Sequence, residues 1–97
     1  MEFRKGILFI RLKGDLNKNT IKKVTFEDFK YVVLNLDNMY SIDSYSIKYL
    51  NKIYKNIEYE DGKLIICDKF NITSRLLKDI PKINDEYDAF KLFERMI

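Results

Sequence analysis

Hydroxyl and carboxylate side chains crowd one short stretch of the chain, NLDNMYSIDSYSIKYL, which runs from Asn35 to Leu50. Three serines and two aspartates fall within the ten residues 37–46. An apolar run precedes the stretch and a helical apolar pattern follows it, so Asp43 is placed to cap a helix and Ser44 to open it. The Ser44 hydroxyl can be an ordinary turn group, or it can accept a phosphate.

The predicted position of Ser44 would tolerate a phosphate. In open α/β sheets, ligands and partners dock where a central strand ends and a helix begins, and the partial positive charge of a helix N-terminus offsets a phosphate. The added charge would lie beside Asp43 and near Asp15, so it would change a partner surface more than the fold. Taken alone, these residues still favour a structural turn serine over a modified one.

Other chemistry is largely excluded by composition. The chain has no histidine, which rules out Ser-His and Cys-His pairs and histidine-based zinc sites. The glycines Gly6, Gly14 and Gly62 are too far apart for a phosphate-binding loop. The single cysteine, Cys67, lies in the apolar run KLIIC and is predicted to be a buried core residue. We therefore expect no enzyme activity and no cofactor.

Three aspartates are the remaining candidates for a metal site. Asp15, Asp37 and Asp43 each follow or face a strand end and could meet at one edge of the sheet. Turn and cap roles also account for them, and we favour those roles over metal binding.

Charge and hydropathy narrow the partners. The net charge is +3, but the 18 basic residues are mixed with 15 acidic ones and form no block of five, so nucleic-acid binding is not expected. The apolar run Ile7–Ile10 is too short for a signal-peptide core or a membrane span. We therefore expect a cytoplasmic protein without a membrane partner.

Periodicity and turn residues predict alternating strands and helices. The first predicted elements are a hairpin of 2–5 with a strand in the segment 6–16, which Gly14 ends at a bend, and a short helix of about two turns capped by Asn17 or Asn19 and carrying Ile21, Val24 and Phe26. A central strand 31–36 ended by Asp37 and Asn38, a helix from Asp43 to Tyr59 and a strand 63–67 follow. The last elements are a short helix capped by Asn71 or Thr73 and carrying Leu76 and Leu77, an edge strand 82–84, and a helix 85–96 with an apolar stripe of Tyr87, Phe90 and Phe93.

This order predicts the α/β class. With 97 residues we expect one domain, built on a mixed four- to five-stranded sheet whose parallel central strands are packed by about four helices.

The combination of these elements resembles the STAS-domain family of bacterial anti-sigma factor antagonists. The most specific segment is YVVLNLDNMYSIDSYSIKYL, in which a central strand leads to an Asp-Ser pair that opens a helix. The strands GILFIRLKGDL and GKLIIC, the latter leading into DKFNITSRLL, match the family pattern on either side. The resemblance covers nearly the whole chain and implies a STAS domain over residues 1–97.

Members of this family are switches that bind a partner. The resemblance implies that the chain binds a cytoplasmic anti-sigma factor that is also a serine kinase of the GHKL type, and that binding frees a sigma factor. It implies phosphorylation of Ser44, which weakens the complex, and a separate phosphatase that restores it. It further implies a monomer whose partner surface includes Asp15, Asn17, Asp43, Ser44, Tyr45 and Ser46. A non-phosphorylated STAS subunit of a larger signalling or transport assembly is the alternative.

Three positions depart from the family pattern. Asn17 stands where an acidic residue is common, Tyr45 where a small hydroxyl residue is common, and Ser46 where glycine is common. Glycine lets another chain approach closely, so we expect Tyr45 to add bulk at the partner surface.

Overall fold

The computed structural model describes residues 1–24, 26 and 28–97 of the chain. Within them the elements run β1 (Glu2–Arg4), β2 (Ile7–Leu16), α1 (Lys18–Ile21), β3 (Tyr31–Ile42), α2 (Ser44–Tyr59), β4 (Lys63–Cys67), β5 (Lys82–Ile83) and α3 (Glu86–Glu94).

The strands form one sheet in their chain order, from β1 to β5. β1 pairs antiparallel with β2 through the predicted hairpin, and β2, β3, β4 and β5 pair in parallel. The predicted mixed sheet with parallel central strands is therefore confirmed. In the described residues three helices pack on it, one fewer than the sequence suggested.

Helices cover both faces of the sheet, and each face has its own core. Leu8 and Ile10 of β2 point to the face of α1 and α2, where they join Leu50 and Ile53 of α2. Ile7 and Phe9 point to the other face, where a second cluster also holds Ala89 and Phe93 of α3. β3 is buried on both sides, which explains why its sequence reads as a continuous apolar run rather than an alternating one.

Two of the central strands are longer than predicted, because β2 and β3 continue past the points where turn residues were expected to stop them. Gly14 does not end β2; it adopts a φ of +80° beside a register irregularity, and the strand continues to Leu16. Asp37 and Asn38 likewise do not end β3, which runs on to Ile42. Irregularities of this kind bend a strand without ending its pairing.

The first helix is shorter than predicted. Asn17 is its N-cap, as one of the two expected alternatives, but the helix has only four residues. Val24 and Phe26 are buried in the core outside the helix. Thr25 and Glu27, which the predicted second turn would include, lie outside the described residues.

No helix forms over residues 69–80, so that prediction was wrong. The carboxylate of Asp68 instead accepts hydrogen bonds from the Thr73 N–H and hydroxyl, both at 2.6 Å, and from the Ile72 N–H at 3.0 Å. Burial alone would raise the pKa of Asp68, but these hydrogen bonds outweigh it and lower the pKa. These hydrogen bonds fold the start of the segment into a compact loop, from which Leu77 enters the core.

α3 packs on the sheet with only part of the predicted apolar stripe. Ala89 and Phe93 are buried, whereas Tyr87 is 67% exposed and Phe90 is half-buried. A small residue at Ala89 lets the helix approach the strands, so the apolar stripe starts there rather than at Tyr87. The first residue, Glu86, is fixed by Arg11 at 2.6 Å and by the Asn35 side chain at 2.7 Å.

The described helices are all too short or too polar to cross a membrane.

Candidate functional site

The candidate site lies at the end of a two-stranded extension of the sheet. β4 pairs with β3 only as far as Asn35, opposite Cys67, while β2 stays paired with β3 to Leu16 and Ile42. The extension carries the chain beyond the rest of the sheet before α2 begins. The residues at its tip are therefore presented at the end of the molecule where the parallel strands finish.

Asp43 joins this extension to α2. Its N–H donates to the Leu16 carbonyl at 3.0 Å, and its carboxylate accepts from the Ser46 N–H at 2.8 Å as the N-cap of the helix. The Ser46 N–H is the main cause of a lowered pKa of Asp43, and the backbone N–H of Lys18 contributes further. The carboxylate therefore lies charged between the starting turns of α1 and α2.

Ser44 is the first residue of α2 and is exposed. Its hydroxyl follows the charged cap directly and lies at the tip of the extension, where another protein could reach it. This is the arrangement that the sequence predicted for Asp43 and Ser44.

Asp15 lies on the neighbouring strand. Its carboxylate accepts a hydrogen bond of 2.7 Å from the Ser41 hydroxyl, and both residues are exposed. Asp15 and Ser41 are also paired in the register of β2 and β3. The expected proximity of Asp15 to the Asp43–Ser44 turn thus follows from strand pairing.

Asn17 is occupied by the cap of α1. Its side-chain oxygen accepts from the N–H groups of Asn19 at 2.9 Å and Thr20 at 3.2 Å, while the Thr20 hydroxyl accepts from the Asn17 N–H. Asn17 is a good capping residue. It is also neutral, whereas the family commonly has an acid at this position.

Tyr45 does not project freely from the site. Its ring stacks on Tyr49 at a centroid distance of 6.3 Å, and the Lys22 ammonium lies 5.8 Å from its centroid. The Tyr49 hydroxyl in turn donates to the Val24 carbonyl at 3.0 Å. Tyr45 is 38% exposed, so it offers one side of its ring to a partner while the other helps connect α2 with the segment after α1.

Ser46 is fully buried, with 0% of its surface exposed. A partner that docks on the tip cannot touch its side chain. Ser46 lies below the surface of the tip, where its N–H donates to the Asp43 carboxylate. Helical spacing provides a signal for this burial, because Ser46 precedes the buried Leu50 by four residues and Ile53 by seven.

Exposed apolar side chains at the same end of the sheet were not anticipated. Tyr40 of β3 is 78% exposed, and Phe70, in the loop that follows β4, is 62% exposed. The loop is held to this end of the sheet because the Lys69 N–H donates to Asp37 at 3.0 Å. The signal available in the sequence was a large apolar residue, Phe70, in an otherwise polar turn.

The aspartates do not form a cation site. Asp37 accepts from Lys69, Asp43 caps α2 and Asp15 accepts from Ser41. Among the residues that the structure describes, no three carboxylate or cysteine side chains are grouped to hold a metal ion.

Comparison with known proteins assigns the family. The sequence profile of the STAS domain matches residues 1–79, so the chain belongs to the STAS-domain family. This confirms the resemblance that the sequence indicated.

Two relatives refine the comparison. The anti-sigma F factor antagonist of Paenibacillus polymyxa is 28% identical over an alignment of 108 positions, which covers 97% of this chain and 92% of the relative. The solved structure of the anti-sigma factor antagonist SpoIIAA in its unphosphorylated form has a TM-score of 0.81, covering 100% of this chain and 96% of that chain at 13% identity. The second likeness concerns the fold.

Proposed function

We propose that this protein is an anti-sigma factor antagonist that is switched off by phosphorylation of Ser44. Unphosphorylated, it binds a cytoplasmic anti-sigma factor, a serine kinase of the GHKL type, and thereby frees a sigma factor. The protein acts by binding and performs no catalysis itself; a separate phosphatase restores it. The observation that carries the proposal is an exposed Ser44 at the first position of α2, directly after the capping Asp43.

Electrostatics supports a strong effect of a phosphate at this point. A phosphoserine carries a charge of about −1.5 to −2 at neutral pH. Asp43, whose pKa is lowered, is already charged beside it, and Asp15 lies on the adjacent strand. Modification would turn a weakly charged tip into a concentrated negative patch, which opposes any partner group that packs closely against it.

Exposed apolar groups at the same end support a protein partner. Tyr40, Phe70 and one side of Tyr45 remain accessible near the tip. Aromatic residues contribute much of the binding energy in protein interfaces. A partner that covers Tyr45 would also cover the neighbouring Ser44, so binding and phosphorylation would use the same surface.

The proposed domain comprises residues 1–97. The family profile covers residues 1–79, and α3 lies beyond it. α3 places Ala89 and Phe93 in the second core of the same sheet, which supports including it in the STAS domain.

The proposal is tested by incubating the chain with the cognate anti-sigma factor and ATP, followed by mass spectrometry of the peptides. We expect one phosphate on Ser44, none on Ser44→Ala, and an unchanged yield on the control Ser41→Ala. Ser44→Ala should still bind the partner, whereas Ser44→Asp should bind more weakly. A phosphate found elsewhere, or full binding by Ser44→Asp, would contradict the switch.

The alternative is a STAS interaction subunit that works without phosphorylation. The observation in its favour is that Tyr45 and Ser46 replace the smaller residues of the family, directly after Ser44 in the sequence. Stable binding of the partner together with no phosphate on Ser44 after prolonged incubation would select this alternative.

A further inference from the structure

A row of lysines extends from Ser44 along the exposed side of α2. Lys48, Lys52 and Lys55 are all exposed, and with Asn51 and Asn56 they line a shallow groove of about 390 Å³. At about 100° per residue, Ser44 and the three lysines fall within an arc of about 80° of the helix surface. We call Ser44, Lys48, Lys52 and Lys55 the lysine stripe; it is about 16 Å long.

The stripe is not neutralised within the protein. In the described part of the chain, none of its three lysines forms an ion pair, and the ion pairs lie elsewhere. The single acid of α2, Glu58, pairs with Lys63 of β4 at 3.6 Å. A solvated helix face usually mixes both signs of charge, so three unpaired lysines in register are free to meet charges from outside.

We infer that the lysine stripe docks an acidic surface of the anti-sigma factor, so that the partner covers the exposed side of α2 as well as its tip. This inference rests on the proposed function and names the part of that interface that the sequence did not single out. Two observations carry it: the unpaired charge of the stripe, and its continuity with Ser44 on one helix face. Complementary charge of this kind mainly raises the association rate and fixes the orientation of the partners.

The chemistry of the stripe favours a protein over a lipid surface. Membrane-surface helices place large apolar side chains beside their lysines so that these insert below the headgroups. Between Ser44 and Lys55, Leu50 and Ile53 of α2 instead point into the core, and the ring of Tyr45, which is 38% exposed, packs on Tyr49. The amides of Asn51 and Asn56 border the lysines and can hydrogen-bond to a protein backbone or side chains.

The stripe also gives a reason why one phosphate could weaken the complex. Lys48 follows Ser44 by four residues, so the two side chains are neighbours on the helix surface. A phosphate on Ser44 would attract the Lys48 ammonium and compete with the carboxylates of the partner. It would thereby remove part of the charge that orients docking.

The test is a double charge reversal, Lys52→Glu with Lys55→Glu, in the full chain, measured against the purified cognate anti-sigma factor by surface plasmon resonance at several salt concentrations. Both positions are exposed and more than two helical turns from Ser44, so the tip stays intact. We expect binding to weaken by at least about tenfold at low salt, mainly through the association rate, with a smaller difference at high salt. The matched control reverses two charges on the opposite face of the sheet, Lys91→Glu with Arg95→Glu, and should bind as the wild type does.

Each outcome separates the inference from the function on which it rests. If the wild-type chain binds the anti-sigma factor and the stripe variant binds it equally well, the inference is overturned and the proposed function stands. Absence of wild-type binding would overturn both. In a parallel measurement, the wild-type chain should not bind vesicles of phosphatidylserine and phosphatidylcholine. If it does bind them and the stripe variant does not, the stripe is a site for anionic lipid and the inference is overturned.

Discussion

The charge of Asp43 matters at the level of the single residue. Its carboxylate accepts the Ser46 N–H, and its pKa lies below the ordinary value of 3.8. Because the folded pKa is lowered, the ionised carboxylate stabilises the folded state above the unfolded pKa, and this contribution is lost as the pH falls through the folded value. The start of α2 is therefore most secure near neutral pH.

Asp43→Asn tests this contribution. Asparagine is also a good N-cap, so the variant should keep α2 but lose the part of the acid sensitivity that the carboxylate provides. We expect its urea midpoint to approach that of the wild type as the pH is lowered from 7 towards 3. Parallel midpoint curves for the two proteins over that range would show that the Asp43 charge is not coupled to folding.

Local capping chemistry explains why the Asp43–Ser44 junction could be predicted from sequence. A cap depends on the residues within one turn, and Asp43 and Ser46 satisfy that requirement by themselves. Ser46 was expected at the partner surface because of the family pattern, yet it is buried. Its spacing from Leu50 and Ile53 indicates the core side of the helix, and periodicity is a better guide to burial there than the resemblance.

At the level of elements, the length of the β2–β3 extension decides where the site lies. Its register irregularities depend on how two strands pair across the sheet, which is information that neither strand carries alone. Turn-forming residues such as Asp37 and Asn38 therefore predict an end of β3 that the strand pairing overrides. The same limit applies to residues 69–80, which hydrogen bonds to the buried Asp68 hold in a loop.

The α2–β4 connection provides a test at this level. Gly62 is buried, and a Cβ at this position would lie 2.7 Å from the Lys30 carbonyl oxygen and 2.9 Å from Ile57. Gly62→Ala should therefore destabilise the fold by about 1–3 kcal/mol, since the close contact is with backbone. Lys63→Ala, which loses only a surface ion pair, should change the free energy of unfolding by less than about 1 kcal/mol. Equal urea midpoints for the two variants would contradict the close packing of this turn.

Across the whole molecule, α3 completes a second core on the face opposite α2. Its first residue, Glu86, joins three strands and the helix by bonding to Arg11 of β2 and Asn35 of β3, while Arg11 also contacts Glu2 of β1. Burial would raise the pKa of Glu86, but the bonds to Arg11 and Asn35 outweigh it and lower the pKa. The α/β class and the parallel central strands followed from alternating patterns in the sequence; the burial of Ala89 in place of Tyr87 did not, because it depends on how α3 lies against the sheet.

Two aromatic truncations in α3 test that packing. Phe93→Ala removes a side chain that is 2% exposed and should cost about 3–5 kcal/mol in the free energy of unfolding. Tyr87→Ala removes one that is 67% exposed and should be nearly neutral. Chemical denaturation measures both, and a larger loss for Tyr87→Ala would restore the stripe predicted from sequence and contradict the structure.

The central claim is that a phosphate on Ser44 controls binding of the anti-sigma factor. The most direct measurement is calorimetric titration of the purified anti-sigma factor with the wild-type chain, prepared once without phosphate and once fully phosphorylated on Ser44. We predict that the phosphate raises Kd by at least about tenfold, a loss of about 1.4 kcal/mol or more, because it adds negative charge beside Asp43. Equal affinities of the two forms would contradict the account.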